Sequence, residues 1–367
     1  MDKKIYLHKI STMVPEFSYT QEFALDYQLK LICDSYKKKV FLKKVYRDTA
    51  IYKRHTVIND YSKSPEEFTF YPKNENLEPE PSTEQRNDLF ITESNRLSLA
   101  VTQKLLENFS AGFKSRITHV ITVSCTGFSA PGFDFHIVKS LGLPRNTDRF
   151  HIGFMGCYAA FPALKLAYNL CLADPEARVL VVNVELCSLH YQKKFDPDTI
   201  VANAIFADGV SACLVSGNAD DSDGDKLVMK TFHSTYTDDS EEDMAWKIGK
   251  NGFDMKLSYY VPKIIDANMH DILKQLLEKA GMKFDDIDIW AIHPGGKAIL
   301  EKLERTLGLK KEDLKHSYDV LWNYGNMSSA TILFVLEEIM KSDKKGDIFA
   351  VSFGPGLTIE TAIMEKV

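Results

Sequence analysis

The sequence contains no apolar run approaching the ~20 residues that cross a bilayer, and its opening stretch, MDKKIYLHKISTMV, lacks the apolar core of a secretory signal. It has no excess of positive charge either: 45 Lys and Arg face 51 Asp and Glu, a formal net charge of −6. Holding nucleic acid requires a basic footprint for the phosphates, so this balance argues against nucleic acid as the main partner. A few local Lys and Arg can still hold a small anion. Cysteine is sparse. Cys33, Cys125, Cys157, Cys171, Cys187 and Cys213 show no CxxC spacing and mostly lie in apolar surroundings, the pattern of reduced thiols in a cytoplasmic protein rather than a disulfide framework. No His/Cys cluster has metal-ligand spacing, no G-x-S-x-G elbow is present, and no G-x-G-x-x-G follows a strand. Metal chemistry, Ser/His/Asp hydrolysis and dinucleotide binding are correspondingly disfavoured.

What remains is a chain of 367 residues, 44% hydrophobic and 26% charged, long enough for two packed halves, 1–225 and 226–367. From Thr118 onward, strand-like runs alternate with helical spacing. THVITVSC is followed by FDFHIVKSLGL, then RFHIGFM, the helical YAAFPALKLAYNLCLA, and ARVLVVNVEL. IVANAIFADGVSACLVSG reads as a turn at Asp208-Gly209 and a further strand, and IDANMHDILKQLLEKAG as an amphipathic helix. The pattern predicts α/β layers with helices covering the sheets. Residues 62–88, polar and Pro-rich, read as a surface excursion, and the acidic stretches NADDSDGDK and TDDSEED as solvated loops.

The order then repeats. IDIWAIHPGGKAILEKLERTLGL parallels THVITVSCTGFSAPGFDFHIVKSLGL, and GNMSSATILFVLEEIMKSDKKGDIFAVSFG parallels GCYAAFPALKLAYNLCLADPEARVLVVNVE. Matching small-residue turns and Leu-Gly-Leu closures favour duplication over chance. The overlay sets Cys157 opposite Asn326, and Cys125 near His293.

Those positions carry the chemistry. Cys157 follows Gly156 at a strand-to-helix junction, where free N–H groups and the helix dipole favour a thiolate. Pro162 is tolerable there only in the first helical turn. His293 breaks an apolar strand at His-Pro-Gly-Gly, and Asn326 precedes a helix, where Asn is also an ordinary cap. A thiol with an imidazole and a carboxamide forms an acyl-transfer set: a nucleophile plus two donors for a developing oxyanion.

The segments VSCTGFSAPG, FMGCYAAFPAL, IFADGVSACLV, IHPGGKAILEKL, YGNMSSATILFVL and SFGPGLTIE resemble the type III polyketide synthases, the chalcone synthase relatives of the thiolase fold. The likeness is collinear over roughly residues 118–367 and looser before that. It implies a five-layer αβαβα fold, a homodimer, and coenzyme A thioesters as substrates with no permanently bound cofactor. Cys157 matches the family's acyl-carrying cysteine, His293 and Asn326 its decarboxylation pair, and Phe206 its phenylalanine at the cavity mouth. Met255 stands where the second such phenylalanine is usual. Cys125, His190, Ala202, Ile205 and Ser328 fall at positions that shape the starter or cyclisation pocket. Lys53 and Arg54 resemble part of the basic surface for the coenzyme's phosphates, and Ala298 falls beside that tunnel. His190, Ala202, Met255 and Ala130 depart from the plant enzymes and point to a bacterial-type member. A ketoacyl synthase III-like enzyme is the competing reading, disfavoured because Pro-Gly-Gly replaces its usual sequence after the histidine. A degenerate thiolase-fold binding subunit is the non-enzyme alternative, disfavoured because all three reactive side chains are present.

Overall fold

The computed structural model describes residues 3–238, 240–258 and 260–367. Its first half runs β1 (Ile5–Met13), β2 (Phe17–Thr20), α1 (Gln21–Ile32), α2 (Tyr36–Arg47), β3 (Lys53–Thr56), α3 (Thr83–Leu106), β4 (His119–Ser124), α4 (Phe133–Leu141), β5 (Asp148–Gly153), α5 (Ala160–Ala173), β6 (Arg178–Leu186), α6 (Pro197–Ile205) and β7 (Asp208–Ser216). The second runs β8 (Leu227–Tyr236), β9 (Met244–Gly249), β10 (Gly252–Leu257), α7 (Val261–Ala280), β11 (Ile289–Ile292), α8 (Lys297–Leu307), α9 (Lys315–Tyr324), α10 (Thr331–Lys341), β12 (Gly346–Gly354) and β13 (Thr358–Lys366).

Nine strands form one sheet in the order β11-β12-β13-β8-β1-β7-β6-β4-β5. Its two wings repeat one pattern. In the first, β1, β7 and β6 are antiparallel neighbours and β6 runs parallel to β4. In the second, β8, β13 and β12 are antiparallel and β12 runs parallel to β11. The wings meet where Ile5–Leu7 pair with Leu227–Met229.

Side-chain parity along the strands then builds the layers, because successive residues of a strand face opposite sides. Ile121 and Val123 of β4 join a central core with Ala160, Ala163, Leu164 and Ala167 of α5 and Ile332, Val335 and Leu336 of α10. Val120, on the opposite parity, joins an outer core with α3 and α4 through Leu97, Val101 and Ile137. In the second wing Ala291 and Ala350 face the central helices, while Trp290, Ile292, Phe349 and Val351 face α7 and α8. The layers therefore read α3/α4, sheet, α5/α10, sheet, α7/α8, a thiolase-like αβαβα arrangement. The paired Leu-Gly-Leu closures end α4 and α8, with Gly142 (φ 64°) and Gly308 (φ 66°) both left-handed, a conformation glycine adopts without the Cβ penalty.

Three local expectations change. Asp208-Gly209 is not a turn: the chain leaves α6 and enters β7 directly at Asp208, so both residues begin a strand. The segment 62–88 is not wholly superficial, since Phe68, Tyr71 and Leu77 are buried in the outer core. Its last residues already belong to α3, started by a capping box between Ser82 and Gln85. In NADDSDGDK, Asp221 is buried against Arg116 (2.8 Å) and Arg178 (3.1 Å) rather than solvated. In TDDSEED, Asp239 lies outside the described residues, as do Met1 and Asp2 of the opening stretch. Among the described residues no helix is long and apolar enough to cross a membrane.

Candidate active site

Cys157 sits three residues before α5, in the turn after β5. Gly156 before it has φ 85°, and a Cβ there would lie 2.3 Å from Cδ of Pro355. Only glycine fits both the backbone angle and the space. Ser352 of β12 donates its hydroxyl to the Cys157 carbonyl (3.0 Å), fastening the turn to the other wing. Pro162 is the third residue of α5, inside the first turn, so its missing N–H costs no helical hydrogen bond.

The second half repeats this device. Gly325 (φ 72°) precedes Asn326, and a Cβ there would meet the Ile205 carbonyl at 2.9 Å. Asn326 donates its backbone N–H to that carbonyl (2.9 Å) and accepts from Ala207 N–H (2.9 Å), a bridge beside Phe206. Its side-chain oxygen accepts from the Ser328 backbone N–H (2.9 Å), and its amide nitrogen donates to the Gly295 carbonyl (3.2 Å). Asn326 is therefore not the helix cap expected of it: the N-cap of α10 is Ala330, and the Asn326 oxygen closes a local turn instead. Cys157 Sγ lies 3.9 Å from both the oxygen and the nitrogen of this amide.

His293 follows the last residue of β11 as Cys125 follows the last residue of β4. Its backbone N–H is held by the Val351 carbonyl (2.9 Å). The ring is 1% exposed, and neither ring nitrogen has a hydrogen-bond partner. A buried polar group left this way normally has a reason. Here the ring borders the same cavity as Cys157 and Asn326 and flanks Gly295, whose carbonyl holds the Asn326 amide.

Burial overrides the helix dipole at the thiol. Desolvation pushes the Cys157 pKa up to about 12, only partly offset by hydrogen bonds from Ser328 and Asn326, and pushes His293 down to about 3. Burial thus works against both the thiolate expected from the helix end and an imidazolium at His293. Neutral imidazole is the form that can accept the thiol proton.

The three groups line one apolar cavity of about 580 Å³. Cys125, Ile205, Phe206, Met255, Ser328 and Ala298 line it as well. His190 and Ala202 border instead a side space of about 50 Å³ behind Trp246, which Phe206 and Met255 also reach. The His190 ring is a strut: Nδ1 accepts from Phe253 N–H (3.0 Å), Nε2–H donates to the Thr126 carbonyl (2.7 Å), and the ring stacks on Phe253 at 4.0 Å. Ala130 lies exposed in the loop before α4.

Arg54 does not fit a phosphate-binding role. It is 2% exposed, and its guanidinium donates to Gln21 Oε1, the Asn203 carbonyl and the Phe206 carbonyl at 2.7–3.1 Å. It braces the wall behind Phe206. Lys53, adjacent on β3, does not line the cavity. The cations at the mouth are Lys44 of α2 and Lys297 of α8, both absent from the sequence-derived set. That reading also missed Trp246, whose indole N–H donates to the Cys125 carbonyl (2.7 Å). Glu185 was missed too: buried beneath the cavity floor, it accepts from Cys125 N–H, Thr126 and Ser329, and burial raises its pKa to about 7. The KKKVFLKKVYR run signalled α2; nothing in one sequence marked Trp246 or Glu185.

A thiolase-like fold enclosing a thiol, an imidazole and a carboxamide in one apolar cavity defines a class, the decarboxylating condensing acyltransferases. Residues 3–219 match the family described as "Chalcone and stilbene synthases, N-terminal domain", and residues 228–367 its C-terminal domain. The chain belongs to that family and is a type III polyketide synthase. It is 33% identical over 298 residues to the "Alpha-pyrone synthesis polyketide synthase-like Pks18" of Mycobacterium tuberculosis, covering 78% of this chain and 75% of that protein. It is 31% identical to "Probable polyketide synthase 1" of Dictyostelium discoideum, spanning 89% of this chain but 10% of that one. Among solved structures, the C-terminal type III polyketide synthase domain of Steely1, a type I/III hybrid from Dictyostelium, superposes with a TM-score of 0.91 at 27% identity over 99% of each chain. PKS-I of the brown alga Ectocarpus siliculosus gives 0.89 at 28% identity, over 99% of this chain and 98% of that one.

Proposed function

We propose that Cys157 carries the growing acyl chain and that His293 and Asn326 stabilise the enolate of the extender. His293 takes the Cys157 proton as Sγ attacks an acyl-CoA starter, and returns it to the departing coenzyme A sulfur. Malonyl-CoA then binds and loses carbon dioxide. The negative charge that develops on its thioester oxygen is met by the Asn326 NH₂ group and a ring N–H of His293 in a cavity of low polarity, where such donors act strongly. The enolate carbon attacks the Cys157 thioester, adding two carbons. Repeated rounds end in ring closure, for which a pyrone is the first expectation, since the Mycobacterium relative is described by alpha-pyrone synthesis. The apolar lining favours a hydrocarbon-rich starter. The observation that carries this reading is the Asn326 amide, anchored by the Ser328 N–H and the Gly295 carbonyl, with its oxygen and nitrogen both 3.9 Å from Cys157 Sγ on one cavity wall.

The substrates enter as coenzyme A thioesters, with Lys44 and Lys297 at the mouth to meet phosphate, and the chemistry needs no resident cofactor. The two halves, 1–225 and 226–367, contribute the thiol and the polar pair respectively. A homodimer is supported by the free edge of β5 and by Phe128, Phe135, Phe150 and Phe154, all exposed around it, an apolar surface suited to a two-fold interface. A cytoplasmic enzyme fits the free cysteines.

The test uses purified protein, radiolabelled malonyl-CoA and a series of acyl-CoA starters. Cys157→Ala abolishes extended products and retains carbon dioxide release. Asn326→Ala lowers carbon dioxide release itself, by on the order of 10²–10³ for a lost oxyanion donor. Full condensation by Cys157→Ala, or normal decarboxylation by Asn326→Ala, overturns the assignment.

A further inference from the structure

We propose that the outer face of α2 docks an acidic acyl carrier protein, which delivers an acyl group to the cavity on its phosphopantetheine arm. The inference rests on Cys157 as the acyl acceptor.

Six of the twelve residues of α2 are Lys or Arg and none is acidic, in a chain of net charge −6. Only Lys38 of the six has an ion pair among the described residues, with Asp34. Lys37, Lys39, Lys43, Lys44 and Arg47 are left without one. A concentration of unpaired like charge on one helix weakens that helix, so its presence beside the cavity mouth calls for a compensating partner.

The helix has three faces. Leu42 and Tyr46 are buried against α1 and α6, with Leu25, Ala24, Ile200 and Ala204. Phe41, Lys44, Val45 and Asp48, spaced i, i+3, i+4 and i+7, line the cavity mouth. The third face, Tyr36, Val40, Lys43 and Arg47, spaced i, i+4, i+7 and i+11, looks outward. Tyr36 is 83% and Val40 50% exposed, with Lys37, Lys39, Lys43 and Arg47 around them.

A surface that met only the phosphates of coenzyme A would need cations at the mouth. Lys37 and Lys39 lie five to seven residues before Lys44, roughly 8–10 Å further along the axis, and phosphate gives no use for an exposed tyrosine and valine. An apolar centre ringed by unpaired cations fits an acidic helix with an apolar contact of its own, as at protein interfaces whose charge complementarity steers encounter. A lipid surface fits less well. Two apolar side chains on a 12-residue helix bury little in a membrane, and the rest of the chain is net acidic.

The transfer balances without an oxidant. A Cys157 Sγ–acyl bond forms as the carrier's thioester C–S bond breaks, and the thiol proton passes through His293 to the pantetheine sulfur. The arm enters past Phe41 and Val45.

The experiment compares one apolar acyl group, dodecanoyl, carried either by the acyl carrier protein of a bacterial fatty-acid synthase or by coenzyme A, with malonyl-CoA as extender. The intact enzyme is set beside Lys37→Glu/Lys39→Glu/Lys43→Glu, none of which lines the cavity, and beside Val40→Glu. The intact enzyme uses both donors, and its kcat/KM with the carrier falls steeply with salt. Both variants lose tenfold or more with the carrier donor and stay within twofold with the coenzyme A donor. A carrier donor inert with the intact enzyme, while the coenzyme A donor works, overturns the proposal. So does an equal loss with both donors. Binding to phosphatidylglycerol vesicles that the variants abolish, with carrier kinetics unchanged, assigns the face to lipid and overturns it as well. Failure of the coenzyme A donor with the intact enzyme instead removes the underlying reading of Cys157.

Discussion

Gly156→Ala isolates what holds the nucleophile in place. Two effects act at this residue. A left-handed backbone angle costs a residue with a Cβ about 1–2 kcal/mol, of which about 0.4–1 kcal/mol is returned because alanine restricts the unfolded chain. The new Cβ would also lie 2.3 Å from Cδ of Pro355, and forcing atoms into a packed site costs about 1–3 kcal/mol more. Gly142 separates the two. Its φ is 64°, and a Cβ there meets nothing within 4 Å, so Gly142→Ala carries the angle cost alone. Differential scanning calorimetry should therefore place Gly156→Ala below Gly142→Ala by the collision, at roughly 1 °C per kcal/mol for a chain of this size. Relief of the collision carries Cys157 with it. Because a misplacement of about 1 Å can cost on the order of 10² in rate, Gly156→Ala should lose condensation while Gly142→Ala keeps it. Pro355→Ala added to Gly156→Ala should recover part of both losses, since the two sites touch. Equal melting and equal condensation for the two glycine variants would refute the claim that Pro355 and Gly156 together set the thiol.

Two further outcomes follow from the site's electrostatics and packing. With Cys157 raised to about 12 and His293 lowered to about 3, the free thiol should be alkylated by iodoacetamide about tenfold faster per pH unit from 7 to 9, followed on the Cys157 peptide; a plateau already reached below pH 7 would reveal a thiolate–imidazolium pair instead. Arg54→Ala should lower the melting temperature, because the Asn203 and Phe206 carbonyls and Gln21 lose their donor at about 1–3 kcal/mol each, while the KM for malonyl-CoA stays within about twofold. A raised KM with unchanged melting would return Arg54 to phosphate binding.

The parts of the fold that were legible in sequence are those where one local rule acts. Leu-Gly-Leu marked two helix ends because glycine alone is comfortable in the left-handed cap, and both closures are found at Gly142 and Gly308. The strand–helix order was readable from periodicity, and the Cys157–Asn326 correspondence from duplicated order. What failed depended on distant partners. YKRH looks basic and exposed in one dimension, yet Arg54 is swallowed by carbonyls from α6 and its neighbouring residue, 149 and 152 positions away. The thiol's acidity follows from how completely two wings close over it. Trp246 shapes the cavity through a hairpin whose register against Cys125, 121 residues earlier, no local pattern encodes.

One strand ties this site to the order in which the chain can be completed. β1 lies between β7 and β8 and pairs with both, so this segment waits for partners more than 190 positions later. During synthesis its two edges stay open until that stretch leaves the ribosome, and neither wing can close without it. The catalytic chamber is therefore a late product of folding, and reactive cysteine is walled in only once β1 has been clasped from both sides.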